Sequence, residues 1–112
     1  METGKYVNQD ELDSFPIVPG VLGKSSWGND IMLTFIYHEP NQRHGTHTHT
    51  FEQAGIIISG EKYIQIGDES RLLKPGDAYI VPAGVEHGSY TTDSACVNMD
   101  IFTPPRDDYK KP

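Results

Sequence analysis

The sequence predicts an all-β domain, and three observations carry that prediction. Apolar, β-branched and aromatic residues recur with a period of two in short runs. Turn signals separate the runs at close intervals, and no long helix-period segment with caps occurs. Many short strands joined by regular turns make a sandwich or a barrel. At 112 residues the chain fits one domain.

In chain order, residues 1–13 are polar, and Asp10 to Phe15 has room for one helical turn at most. The run Asp30 to Tyr37 reads as a strand, followed by Ala54 to Ser59, Lys62 to Ile66, Arg71 to Leu73, Ala78 to Val81 and Cys96 to Phe102. Ser59-Gly60, Gly67-Asp68, Pro75-Gly76-Asp77 and Pro82-Ala83-Gly84 each favour a chain reversal. Ile64 to Leu72 is read as a hairpin around Gly67-Asp68. Ser25 to Asp30, which contains Trp27, reads as turn-like.

The formal net charge of −7 argues against nucleic acid as a partner, because phosphate binding needs clustered Lys and Arg. No stretch approaches the roughly 20 apolar residues of a membrane span. The first residues lack a basic region followed by an apolar run, so no signal peptide is expected. A single cysteine, Cys96, excludes an intramolecular disulfide. Together these features point to the cytoplasm.

The five histidines are His38, His44, His47, His49 and His87. His47 and His49 stand two apart, and on a strand residues i and i+2 face one side. Their imidazoles can therefore share one metal ion. The same alternation places Phe51 and Gln53 on that side and Glu52 on the other.

With these residues in view the chain resembles the cupin superfamily. The first motif of that family runs Gly, five residues, His-x-His, three or four residues, Glu, six residues, Gly. His47, His49, Gln53 and Gly60 fall at those spacings. The second motif runs Gly, five residues, Pro-x-Gly, two residues, His, and Gly76, Pro82, Gly84 and His87 match it throughout. Asn41 stands where the first motif begins with Gly, and Thr91 where the second often ends with Asn. The resemblance implies a single-domain cupin, a double-stranded β-helix or jelly-roll barrel over residues 15–112 with a C-terminal tail. It also implies one divalent metal ion per chain, held by His47, His49, Gln53 and His87.

Gln53 replaces the usual acidic ligand. Three imidazoles and an amide leave the ion's charge uncompensated, which makes a stronger Lewis acid and a better receptor for an anion. The neutral set stabilises Fe(III) less well and tilts the site away from oxygen chemistry. Glu52 is an alternative ligand that strand parity and motif spacing disfavour. Imidazole ligands suit several metals, with Ni or Zn favoured and Mn, Fe or Cu as alternatives.

In the last strand Val97, Met99 and Ile101 share one face, and Asn98, Asp100 and Phe102 the other. Asp is disfavoured in strands, so Asp100 is either outward and solvated or inward beside the metal as a proton carrier. The first motif His-x-His-x-x-Glu-Gln, taken with the ending Asp-x-Phe-x-Pro-Pro-Arg-x-Asp-Tyr, is similar to the bacterial cupins that act on unsaturated monouronates from pectin and alginate. Those proteins convert the 4,5-unsaturated sugar acid to its linear keto form. The resemblance implies Asp100 as the acid/base, with Phe102 and Arg106 beside an anionic sugar-acid substrate. Asp100→Asn is then expected to abolish turnover while leaving metal bound.

His38 and His44 read as surface or rim residues, Arg43 and Arg71 as solvated, and Cys96 as a small buried hydrophobe. Met32 and Met99 read as packing, Trp27 as a dimer contact and Lys110-Lys111 as a charged tail. By resemblance a homodimer is expected, with residues 1–14 as the arm that exchanges between subunits. Two competing functions remain: an Fe- or Cu-dependent dioxygenase, and a sugar-binding cupin without turnover.

Overall fold

The computed structural model describes residues 4–110. Ten strands form two antiparallel sheets. In chain order the strands are β1 (Phe15–Val18), β2 (Val21–Trp27), β3 (Met32–His38), β4 (Arg43–His47), β5 (Glu52–Ser59), β6 (Lys62–Ile66), β7 (Glu69–Leu73), β8 (Ala78–Val81), β9 (His87–Thr91) and β10 (Cys96–Thr103). The larger sheet is ordered β1-β2-β3-β10-β5-β8 and the smaller β4-β9-β6-β7. This is the jelly-roll architecture expected from the sequence. Short 3-10 turns at Gln9–Glu11 and Asp107–Tyr109 are the helical elements among the described residues.

All six strands read from the sequence are present, and the β6–β7 hairpin turns at Gly67-Asp68, with Ile66 opposite Glu69. Gly67 has φ 58, a conformation glycine adopts without steric cost, as such two-residue turns require. Asn41 has φ 58 as well. It therefore meets the conformational demand of the motif glycine it replaces, since Asn tolerates this region better than most residues. Four further strands, β1, β2, β4 and β9, complete the barrel. Ser25 to Trp27 is the end of β2 and not the start of a turn, because all three residues pair in register with β3.

The core lies between the sheets. One cluster joins Ile57, Ile64, Tyr79, Val81 and Cys96; the other joins Phe15, Met32, Phe102 and Tyr109. β10 runs through the middle of the larger sheet, and its inward residues are Cys96, Asn98, Asp100 and Phe102. Asp100 thus points into the barrel and is 4% exposed. Met99 packs half-buried on the outer face, and Arg43 and Arg71 are exposed. Residues 4–14 lie against β2 and β3 of their own chain. There Lys5 Nζ donates to the Trp27 carbonyl and Lys24 Nζ to the Gln9 carbonyl. The first three residues of the expected arm, and Lys111 of the tail, fall outside the described residues. No helix among the described residues is long and apolar enough to cross a membrane.

Candidate metal centre

His47, His49, Gln53, His87, Asp100, Phe102 and Arg106 all line one cavity. Every residue selected from the sequence for the site is therefore brought together. The geometry behind His47 and His49 differs from simple alternation. β4 ends at His47, and His49 lies in the loop beyond it. Their rings still stand 4.7 Å apart, and each lies within 5 Å of the His87 ring. Between His44 and His47 the register of β4 against β9 shifts, with three residues on β4 spanning two on β9. Such a bulge re-aims side chains. Here it brings His44 onto the His47 ring at 4.8 Å, inside the cavity wall.

The three histidines present ligand atoms that lie within 4.8 Å of one another. Hydrogen bonds fix which nitrogen two of the rings offer. His47 Nδ1 donates to the Gly45 carbonyl at 2.7 Å, and His87 Nδ1 to the Val85 carbonyl at 3.0 Å. Both rings are left with a bare Nε2 facing the cavity, the arrangement in which imidazole binds metal.

His49 Nε2, His87 Nε2 and Gln53 Oε1 are buried with no hydrogen-bond partner. Buried polar atoms are nearly always satisfied. Three orphaned acceptors on residues that line one cavity fit a divalent cation, which needs lone pairs and supplies none. Gln53 faces inward while Glu52 is exposed on the opposite side of β5. The imidazole pKa values favour the metal-binding form. Burial and the nearby Arg106 guanidinium hold His49 at about 4, and burial also lowers His87.

Beside this cluster sits a carboxylate. Asp100 Oδ1 accepts from the Tyr79 hydroxyl and from Asn98 Nδ2 at 3.0 Å, and Oδ2 accepts from Gln53 Nε2 at 3.1 Å. Burial raises its pKa, opposed by Lys62, by the Tyr79 and Asn98 hydrogen bonds and by Arg106. Gly55 lies directly opposite Asp100 on β5 and opposite Tyr79 on β8. A Cβ there would strike Asp100 Oδ1 and the Tyr79 hydroxyl, so glycine leaves the space that their contact needs.

Arg106 closes the other side. Its guanidinium lies 3.7 Å from the Tyr109 ring centre and 5.2 Å from those of Phe51 and Phe102. Nε and Nη2 bind the two Asp108 oxygens at 3.1 and 2.8 Å. One edge of the fork is taken, and the edge formed by the two terminal nitrogens remains for a second carboxylate. Phe102 is 1% exposed and serves as part of the aromatic seat under Arg106.

His38 is a correction. It is 5% exposed, not on the rim, because it ends the inward row Met32, Thr34, Ile36, His38 on β3. Lys62, Tyr79 and Asn98 also line or back the site. Strand parity was the available signal: Lys62 alternates with Ile64, Tyr79 with Val81, and Asn98 with Asp100.

A buried double-sheet barrel with a three-histidine cluster at one end defines a class, and the family model described as "Cupin domain" matches residues 35–102. The chain belongs to the cupin family. Among characterised relatives it is similar to the pectin degradation protein KdgF of Dickeya dadantii, with 27% identity over 94% of this chain and 97% of that one. The solved structure of KdgF from Halomonas sp. superposes with a TM-score of 0.88 at 28% identity, covering 95% of this chain and 98% of that one. The acireductone dioxygenase of Leishmania braziliensis is 38% identical over 88% of this chain, which spans 28% of that protein.

Proposed function

We propose that the protein is a metal-dependent enzyme that converts 4,5-unsaturated monouronates, of the kind released from pectin or alginate, to their linear keto forms. The observation that carries this reading is the juxtaposition of a buried carboxylate, Asp100, and an aromatic-seated guanidinium, Arg106, around one three-histidine cluster. It agrees with the naming of two similar proteins for KdgF, one of them for pectin degradation.

His47, His49 and His87, with the Gln53 amide oxygen, would hold the ion: nickel or zinc first, manganese, iron or copper otherwise. When bound, the metal supplies Lewis-acid polarisation of the substrate's oxygens. The free space between these residues is about 40 Å³, enough for an ion and a few waters. The sugar therefore lies across the mouth, where Arg106 takes its carboxylate on the free edge of the fork.

Opening the hemiacetal frees an aldehyde and an enol. Ketonisation then moves the enol O–H proton onto the vinylic carbon, with no net gain or loss of atoms. Asp100 is the group that accepts and returns this proton. Its burial favours the protonated form, while Lys62, Tyr79 and Asn98 favour the carboxylate.

The test follows loss of the unsaturated chromophore with purified protein of known metal content and unsaturated galacturonate as substrate. Turnover that vanishes on chelation and returns with metal is expected. Stoichiometric metal without turnover would instead favour a sugar-binding cupin, and oxygen uptake would favour the dioxygenase. A cytoplasmic setting fits a chain whose single cysteine is buried.

The same reading pairs the chain with a second copy. Ile56, Ile58 and Ile80 stand exposed on the outer face of β5 and β8, beside half-buried Met99 and Ile101 of β10. A two-fold partner can match such a patch with itself. Light scattering is expected to give a dimer, and Ile80→Asp a monomer.

A further inference from the structure

A continuous column of buried polar side chains runs from the metal cluster into the barrel. Gln53 bonds Asp100, Asp100 bonds Tyr79 and Asn98, Asn98 bonds Lys62, and Lys62 bonds His38. Lys62 is 3% exposed and Asn98 wholly buried. Interiors of this size are usually apolar, and a buried polar network is costly unless each member is satisfied.

The direction of the bonds from Lys62 to Gln53 is fixed from one end, whichever role His38 Nε2 takes 3.1 Å from Asn98 Oδ1. The Lys62 ammonium has donors and no acceptor. Its Nζ lies 2.7 Å from Asn98 Oδ1 and 3.0 Å from His38 Nε2. Asn98 must therefore turn its oxygen to Lys62 and its amide hydrogens the other way, toward the Tyr79 hydroxyl at 3.2 Å and Asp100 Oδ1 at 3.0 Å. The Tyr79 oxygen, having accepted from Asn98, gives its own hydrogen to Asp100. Two donors on Oδ1 and the nearby Lys62 charge favour the carboxylate, which accepts at Oδ2 as well, and the group Gln53 offers an ionised Asp100 is Nε2. The Gln53 carbonyl oxygen is left buried and unpartnered, on a residue that lines the same cavity as the histidine cluster.

We propose that Lys62 is a positioning residue for the metal centre. Through Asn98, Tyr79 and Asp100 it sets the orientation of the Gln53 amide, so that oxygen and not nitrogen faces the ion. An amide can present either atom, and only the oxygen is a ligand. A glutamate at position 53 would need no such device; a glutamine does. The inference rests on the proposed metal site and leaves the identity of the substrate aside.

The chain that hydrogen-bonds a metal ligand usually governs about tenfold to hundredfold in metal affinity. Lys62→Met keeps the stem and removes the donors. In the full-length protein, competition with a chromophoric chelator for Ni²⁺ and for Zn²⁺ is expected to show a loss of that size. In a Gln53→Leu background, where no amide remains to be oriented, the same substitution is expected to change nothing further. An equal loss in both backgrounds, or no loss in either, would overturn the proposal.

Asp100→Asn reads the column from its other end and is isosteric. Its new amide hydrogens would replace the acceptor that Gln53 now meets, turning the Gln53 oxygen away from the ion. The expected result is an affinity as low as that of Gln53→Leu, which reverses the sequence-based expectation that this variant keeps its metal. Parent-like affinity in Asp100→Asn would overturn the proposal whether or not Lys62→Met folds. A parent chain without metal overturns this inference together with the proposed function. A parent that binds metal but leaves uronates untouched overturns the function alone.

Discussion

Gln53 Nε2 donates to Asp100 Oδ2 at 3.1 Å, so the side chain whose buried, unpartnered oxygen shares a cavity with the three histidines also grips the proposed proton carrier. Gln53→Glu separates the two roles. It keeps an oxygen ligand and adds the charge the site lacks, but it sets a carboxylate against a carboxylate. Two such groups in contact cannot both ionise, and one takes a proton. With that proton held between positions 53 and 100, Asp100 is no longer free to exchange one with substrate. Metal content by mass spectrometry is expected to stay stoichiometric while kcat on unsaturated galacturonate falls at least about hundredfold, the lower end of what a positioned acid/base contributes. Undiminished kcat in this variant would remove Asp100 from the proton transfer.

Arg106 is already committed on one edge to Asp108 and seated on Tyr109 at 3.7 Å. Arg106→Lys keeps the charge and loses both the planar fork and the stacking. The remaining ammonium reaches one carboxylate at a time, and Asp108 competes for it. The expected signature is a rise in KM of about tenfold or more, equivalent to about 1.4 kcal/mol of binding. Steady-state kinetics with the metal-loaded variant checks this, and an unchanged KM would assign Arg106 to the aromatic packing alone.

Two of the strands hidden from sequence reading, β4 and β9, have a common physical origin. β4 reads Arg-His-Gly-Thr-His and β9 reads His-Gly-Ser-Tyr-Thr. Both carry His, Ser or Thr where a core strand carries Val or Ile, because their inward faces line a polar cavity. β10 inverts the usual pattern: its apolar Val97, Met99 and Ile101 face outward, and Asn98 and Asp100 face inward. Hydrophobic alternation alone would assign that strand to the wrong side. The clustering of His47, His49 and His87 was nonetheless legible, since motif spacing survives where the hydrophobic signal fails. His38 was misplaced for a different reason. It closes an inward row that begins at Met32, and only the buried Lys62 and Asn98 make a histidine tolerable there.

Gly55 tests how tightly the column is packed. It shares a row of the larger sheet with Asp100 and Tyr79, and a methyl group there meets both polar atoms at once. Overpacking of this kind costs about 1–3 kcal/mol where neighbours can shift. Asp100 and Tyr79 can shift only by breaking their mutual hydrogen bond. Gly55→Ala is therefore expected to lower stability by that amount in urea denaturation and to reduce kcat as well. A variant with parent stability and parent kcat would mean that the Asp100–Tyr79 contact is looser than its geometry indicates.

The depressed histidines give stability a direction with pH. Burial first, and the Lys62 ammonium second, lower the His38 pKa from 6.5 to about 3. Between those values the unfolded chain binds a proton that the folded chain refuses. Stability from this group is thus fully present above about pH 6.5, declines as the pH falls, and is lost by about pH 3. The slope approaches about 1.4 kcal/mol per pH unit in that window. His44, held at about 4 by burial and by His47, acts in the same direction in metal-free protein. Urea denaturation of the metal-free protein at about pH 7 and about pH 5 is expected to show this decline. His38→Gln retains an acceptor for Lys62 and cannot take up the proton, so its decline is expected to be shallower by close to one proton's worth. An unchanged slope in His38→Gln would mean that His38 is protonated in the folded state, with Lys62 then giving up its own proton to remain beside it.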